Sequence, residues 1–325
     1  MGAVPLARVV RSGLEESVHT GHVAVCDADG RLIARAGDPS HQVFARSCMK
    51  PLQASVSLAS MDDLALPARE VAVMCASHNG EPVHLGAVRA LLERASLGPE
   101  ALQTPPDYPL DRDEMARAQH PNRVFHNCSG KHAGMLLACA RAGWNVETYR
   151  RRSNPLQRRV RSAVERATDI EDLVIGIDGC GVPVHGMPLQ AMATLFARLA
   201  RPERLGALAP AAGRATAAML AEPYLVGGRH RLDTEVIRVT GDVVVKEGAE
   251  ALICASIQPQ GVGIAVKVAD GGYRAYAPAL IEVLRQVDAV SGPQLRELAT
   301  FARPPVIGGG ERVGEVEPLV TLRRR

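Results

Sequence analysis

Ala45-Arg46-Ser47-Cys48-Met49-Lys50-Pro51-Leu52-Gln53-Ala54-Ser55-Val56-Ser57-Leu58 is the stretch in which the chain leaves one kind of structure for another. Before it, from Ala7 to Ala36, short apolar runs such as Val9-Val10 and His22-Val23-Ala24-Val25 are broken by Asp27-Ala28-Asp29-Gly30. That composition predicts a β-hairpin with a tight turn. From Ser47 onward Met49, Leu52, Val56 and Leu58 recur at helical spacing, and Pro51 falls in the first turn, where a missing N–H costs little. An opening strand layer therefore gives way to a helix that starts at Ser47.

Further along, from about Pro67 to Asp169, helical segments are expected over Val83 to Ala95, Ala133 to Gly143 and Pro155 to Ala167, with a Pro-rich loop around Thr104-Pro105-Pro106. After the loop Gly176-Ile177-Asp178-Gly179-Cys180-Gly181 come two Ala/Leu-rich helices. Strands return at Val243 to Lys246, Ala251 to Ala255 and Val262 to Val268, followed by a helix from Ala277 to Val290. This order predicts an α/β fold in which both chain ends build one lobe and a mostly helical lobe is inserted between them. The two form one two-lobed unit over 1–325, the α/β lobe from about 1–66 and 223–325 and the helical portion from about 67–222. No internal repeat is visible.

At 325 residues and 46% hydrophobic content the chain can fill a sizeable core. It has no run of eighteen apolar residues, and Met1 to Pro5 lacks the basic and apolar regions of a signal peptide, so a cytoplasmic protein that crosses no membrane is expected. A net charge of +3 and 3% aromatic residues argue against a nucleic-acid surface, and the runs Arg150-Arg151-Arg152 and Arg323-Arg324-Arg325 read as solvated faces or tails. The seven cysteines are scattered, which predicts free thiols or metal ligands rather than disulfides.

Of the 38 basic residues only four are lysines: Lys50, Lys131, Lys246 and Lys267. Arginine cannot lose its proton in a protein and a buried lysine can, so lysines that persist in this background are candidates for proton transfer or ligation. Ser47-Cys48-Met49-Lys50 places an amine one helical turn from a hydroxyl, where it can take the hydroxyl proton, and the helix N-terminus favours a developing alkoxide. One Ser-x-x-Lys is expected by chance in a chain of about this length. Here it is followed by Ser77-His78-Asn79 and Lys246-Glu247-Gly248, in the order Ser-x-x-Lys, Ser-x-Asn, Lys-x-Gly used by serine β-lactamases and penicillin-binding proteins. Ser77 and Asn79 have the alternative reading of an ordinary turn before Gly80.

A second constellation is His126-Asn127-Cys128-Ser129-Gly130-Lys131-His132 with Asp178-Gly179-Cys180-Gly181. Two thiols with histidines nearby could hold zinc, but without a Cys-x-x-Cys pair the spacing favours buried free thiols. Asp178, in a glycine-flanked loop, is placed to grip an ammonium group or to cap its loop.

On these residues the chain resembles the thermolabile, Rhizobium-type class of L-asparaginases. The resemblance rests on Ser47-x-x-Lys50, Ser77-His78-Asn79-Gly80-Glu81, Cys128-Ser129-Gly130-Lys131-His132, Gly176-x-Asp178-Gly179-Cys180 and Lys246-x-Gly248-Ala249-Glu250, and it runs from about Arg8 to Gly272. Support comes from Glu16, His19 and Gly21 and from Gly227-Gly228 to Arg231-Leu232-Asp233-Thr234. It implies a β-lactamase/glutaminase-like fold, an antiparallel sheet with flanking helices plus a mostly helical lobe, and a homodimer. It implies two serine-lysine pairs, Ser47-Lys50 and Ser77-Lys246, acting on L-asparagine. It also implies a zinc held by Cys128, Lys131 and Cys180, which displaces the reading of bare thiols. A further cysteine that some members carry near Gly227-Gly228 has no counterpart here, since none lies between Cys180 and Cys254.

The expected reaction has Ser47, deprotonated by Lys50, attack the side-chain amide while Ser77 and Lys246 relay protons. Arg46, Asn79, His132 and Asp178 are the expected substrate contacts. Ser77 as nucleophile, a glutaminase, a β-lactamase-like serine hydrolase and a zinc-binding protein without catalysis are the alternatives.

Overall fold

Apolar and polar residues mix along Val4–Arg11 and the long Leu14–Asp27 run, and the two pair as an antiparallel hairpin with Arg8 opposite Val18 and Val9 opposite Ser17. In the computed structural model, which describes residues 2–61 and 64–324, this hairpin belongs to a sheet whose described pairings are all antiparallel. Across the sheet the order is Pro305–Gly308, Glu311–Pro318, Val4–Arg11, Leu14–Asp27, Val262–Val268, Leu252–Ile257 and Val243–Gly248. Leu32–Ala36 pairs with the second half of Leu14–Asp27, and Arg323–Arg324 pairs with Leu32–Ala36. The turn predicted at Asp27 forms: the Asp27 carboxylate accepts from the backbone N–H groups of Asp29 and Arg31, each at 2.9 Å. Met1, at the start read for targeting signals, and Arg325, last of the terminal arginines, lie outside the described residues, as do Asp62 and Asp63.

Two compact units divide the chain. The sheet unit comprises Met1–Cys48, Met187–Arg201 and Glu235–Arg325, and the helical unit Met49–Gly186 and Pro202–Thr234. These bounds differ from the 1–66, 67–222 and 223–325 read from the sequence, because periodicity identifies an element without saying which layer it packs on. Lys50–Leu58 belongs with the helices, while the Leu189–Ala200 helix lies on the strands Val262–Val268, Leu14–Asp27 and Leu252–Ile257. Arg198 Nε donates to the carbonyl of Ala28 at 3.1 Å and Gln190 Nε2 to that of Gly30 at 3.0 Å. Gly263 makes this approach possible, since a Cβ there would stand 2.0 Å from the carbonyl oxygen of Ala193. Tyr273–Gln286 packs on Val4–Arg11, Val262–Val268 and Glu311–Pro318. Val243–Gly248 and Leu252–Ile257 are buried without alternation, the pattern of strands covered on both faces.

In the helical unit Lys50–Leu58 is buried along its whole length against Ser129–Arg141, Pro155–Thr168 and Ala209–Ala221. Its start differs from the predicted one: Arg46–Met49 forms a 3₁₀ turn and the α-helix begins at Lys50 with Pro51 in its first turn. Pro155–Thr168 begins where Pro155 predicts, capped by the Asn154 side chain, which accepts from Leu156 N, and it ends at Asp169 in a left-handed conformation. Val174–Ile177 pairs antiparallel with residues 183–186, an element that the sequence reading treats only as a loop. The connection carries Asp178 and Cys180.

Candidate active site

Within the helical unit, a lysine at the start of a helix buried along its whole length needs polar partners, and Lys50 has them. Only 1% exposed, it donates from Nζ to the carbonyl of Ala76 at 2.6 Å, to Ser77 Oγ at 2.9 Å and to the carbonyl of Asn127 at 3.5 Å. Ser77 lies just after the Ala68–Met74 helix, on a loop held from behind: Ser77 N donates to the carbonyl of Val226 at 3.0 Å, and Arg231 Nη1 donates to that of Ser77 at 3.0 Å. Lys50 with Ser77 is a pairing the sequence reading does not contain, since it joins Ser47 to Lys50 and Ser77 to Lys246.

Asn79 is committed to the same loop. Its Nδ2 donates to Glu81 Oε1 at 3.2 Å and to the carbonyl of Arg229 at 3.0 Å, while its Oδ1 accepts from Arg231 Nη1 at 3.1 Å. The Nδ2 donors of this amide are thus engaged within the Ser77 turn, and Oδ1 keeps a second lone pair. Glu81, nearly fully buried, also accepts from Arg229 N at 3.0 Å and from the Tyr224 hydroxyl.

The second constellation also assembles in the helical unit. Cys128 immediately precedes the Ser129–Arg141 helix, Lys131 lies in its first turn, and the helix comes close to Val73, whose carbonyl oxygen would be 2.2 Å from a Cβ at Gly130. That contact accounts for the glycine between Ser129 and Lys131. Lys131 Nζ donates to Cys180 Sγ at 3.0 Å, and Cys180 Sγ lies 3.5 Å from Asp178 Oδ2. All three of Cys128, Lys131 and Cys180 are buried. The hydrogen bond from Cys180 holds the Cys128 thiol well below its ordinary value against burial, with Lys50 and Lys131 adding to the effect. Cys180 is pushed up by the same shared proton and by burial. Burial works to lower Lys131, but Cys180, Cys128 and Asp178 outweigh it and hold the ammonium form.

These three side chains are the ones that could hold a metal. Among the described residues no group of three or more His, Cys, Asp or Glu comes together as a metal site. Two sulfurs and an amine, already sharing protons that a cation would displace, are donors suited to a soft divalent ion.

His132 is fully buried, and its Nδ1 lies 2.7 Å from the Tyr149 hydroxyl. Burial holds the ring well below its ordinary value and therefore neutral. Burial also raises the Tyr149 hydroxyl to about 12, so it keeps its proton. Asp178 is half-buried, its backbone N–H donating to the carbonyl of Val182 at 2.9 Å.

The sheet unit carries the remaining residues. Ser47 is half-buried on the 3₁₀ turn, preceded by Arg46 at φ 44°, a left-handed backbone that a long side chain rarely adopts. Lys246, fully buried in Val243–Gly248 opposite Cys254, donates to the carbonyl of Glu247 at 3.0 Å. Cys48 Sγ lies 3.1 Å from the carbonyl of Lys246, which ties the residue after Ser47 to the Lys-x-Gly strand within this unit.

Sequence reasoning missed Tyr149, Glu81 and Arg231 as parts of the site. Glu81 and Arg231 stand inside runs already singled out for family likeness, and that was the available signal. Tyr149 had none.

Among solved structures the chain is similar to a β-lactamase from Mycobacterium bovis, at 17% identity over 83% of this chain and 95% of that one, TM-score 0.45. It is also similar to a Bacillus subtilis glutaminase in covalent complex with 5-oxo-L-norleucine, at 16% identity over 83% and 88%, TM-score 0.39. No curated protein sequence matches the chain. The sequence matches the family described as L-asparaginase II over residues 7–318. With that match covering nearly its whole length, the chain belongs to the L-asparaginase II family, a family of amidohydrolases.

Proposed function

We propose that the protein hydrolyses L-asparagine to L-aspartate and ammonia through an acyl-enzyme on a serine. The observation that carries this reading is the buried Lys50 amine hydrogen-bonded to Ser77 Oγ at 2.9 Å in a chain of this family. In its neutral form Lys50 accepts a serine proton. The serine oxygen then bonds to the side-chain amide carbon, the C–N bond breaks, and nitrogen leaves as ammonia with the proton delivered to it. Water adds to the ester, the C–O bond to serine breaks, and aspartate departs.

Ser47 is the nucleophile in the reading that follows the motif order, with Ser77 and Lys246 relaying protons. The Lys50 to Ser77 hydrogen bond favours a second reading in which Ser77 itself attacks. Arg46, His132 and Asp178 are the proposed grips on the α-carboxylate and ammonium groups. Cys128, Lys131 and Cys180 are proposed to hold zinc. A zinc ion there would supply a fixed positive charge near the substrate, while the three side chains release their protons to bind it. The working form is proposed to be a cytoplasmic homodimer.

Ammonia release from asparagine and glutamine, measured side by side with nitrocefin turnover, tests the substrate class. Asparagine should be preferred and nitrocefin left intact. Mass mapping of a trapped acyl-enzyme assigns the nucleophile. If Ser47→Ala and Ser77→Ala both release ammonia at the wild-type rate, serine catalysis is wrong. Metal analysis should find near-stoichiometric zinc in protein purified without chelators, declining as pH falls. No zinc even after its addition would remove the metal.

A further inference from the structure

Two buried histidines of the helical unit, treated differently by their neighbours, show what hydrogen bonding does to a ring. His78 has both nitrogens engaged: Gly80 N donates to Nδ1 at 3.1 Å, and Nε2 donates at 2.9 Å to Ser129 Oγ, whose own proton goes to the carbonyl of Val124 at 2.8 Å. Nothing of that ring is left over for a ligand. His132 is fully buried too, and its Nδ1 meets the Tyr149 hydroxyl at 2.7 Å, but its Nε2 has no hydrogen-bond partner among the described residues.

The direction of the 2.7 Å bond follows from counting protons. The Tyr149 hydroxyl already accepts from Gln103 N at 2.9 Å, and Tyr149 is itself fully buried. Its single proton needs an acceptor, and His132 Nδ1 is the one in reach. If His132 instead carried its proton on Nδ1, the tyrosine proton and the Nε2 lone pair would both be unmatched in a buried place. With Tyr149 donating, one group alone is unmatched: an N–H on Nε2. The rings meet edge to face, centroids 5.4 Å apart at 90°, so the orientation of His132 is held together with its tautomer.

An N–H donor that is buried, fixed in direction and unmatched is suited to an oxygen that arrives with a ligand. Lys131 and Lys50 act on the ring in the sense that favours an anionic oxygen there, and Cys128 opposes them. We propose that Tyr149 is a positioning residue that holds His132 as its Nε2–H tautomer, so that this N–H donates to the α-carboxylate of the amino-acid substrate. The substrate half of this inference rests on the asparaginase reading above. The tautomer half does not.

Protein labelled with ¹⁵N-histidine, free of ligand at neutral pH, should show the ring proton of His132 on Nε2, and addition of L-aspartate, which carries the same α-carboxylate, should move the Nε2 resonance. Tyr149→Phe should shift the ring toward the Nδ1–H form and raise KM for asparagine roughly tenfold with kcat within about twofold, as expected for loss of a ground-state contact to a charged group. A wild-type ring protonated on Nδ1 would overturn the inference even if the variant fails to fold. So would an Nε2 resonance indifferent to aspartate, or a variant whose kcat falls while KM stays. Should the wild type turn over no asparagine, the functional reading fails, and the tautomer is still decided by the ligand-free spectrum.

Discussion

Lys50 is the residue on which sequence and structure bear most directly. One of four lysines among 38 basic residues, it keeps an amine where arginine would keep a permanent charge. Its partners Ala76, Ser77 and Asn127 can hold either an ammonium or, once one proton has left, an amine. Lys50→Arg therefore separates charge from proton transfer. The variant should retain its fold, followed by circular dichroism, while kcat for ammonia release falls by roughly a hundredfold or more, the scale of a lost general base. A kcat within a few-fold of wild type would show that Lys50 acts only as a fixed charge. Ser77 was legible as a residue of interest through its motif, but its contact with Lys50 was not. The two are 27 positions apart and meet through loop geometry that no local period encodes.

Among elements, strands and helices were largely readable where a repeat of two or of 3.6 ran for several residues. Val262–Val268 falls where the sequence places it, and Pro155–Thr168 extends one residue beyond its predicted end. The layer each element joins was not readable, as Leu189–Ala200 illustrates. Its seat on the sheet depends on Gly263, and a glycine in a strand does not announce which backbone approaches it. Gly263→Ala must move the Leu189–Ala200 helix, so it should destabilise the protein by about 3 kcal/mol or more. Gly213→Ala, in the Ala209–Ala221 helix with nothing within 4 Å of the new Cβ, should stabilise by about 0.5–1 kcal/mol. Urea denaturation of the two variants checks both signs. Equal destabilisation would show that helix propensity and open space do not govern position 213.

For the whole molecule, resistance to acid is set partly by histidines buried in the neutral form. Burial, helped by Arg161, pushes His185 from the ordinary 6.5 to about 4, and burial also lowers His84. The unfolded chain takes up these protons first as pH falls, so their contribution is complete above about pH 6.5 and is lost progressively toward pH 4. For His185 the change is on the order of 1–3 kcal/mol. Urea midpoints should fall over that window, and His185→Gln should flatten part of the slope; an unchanged slope would mean that His185 is protonated in the folded state as well.

What the sequence determined by itself is the family and the chemical inventory: the serines, the rare lysines, the two thiols and the motif order that names them. Residue identity and short spacing are local properties, written directly in the chain. What only the tertiary structure decided is the partnership of those groups: Lys50 with Ser77, the Asn79 amide with Glu81, and His132 with Tyr149. The first and last are contacts between segments that local pattern leaves independent. Hydrogen bonds of defined length and direction exist only after packing has buried both partners and removed water as their alternative.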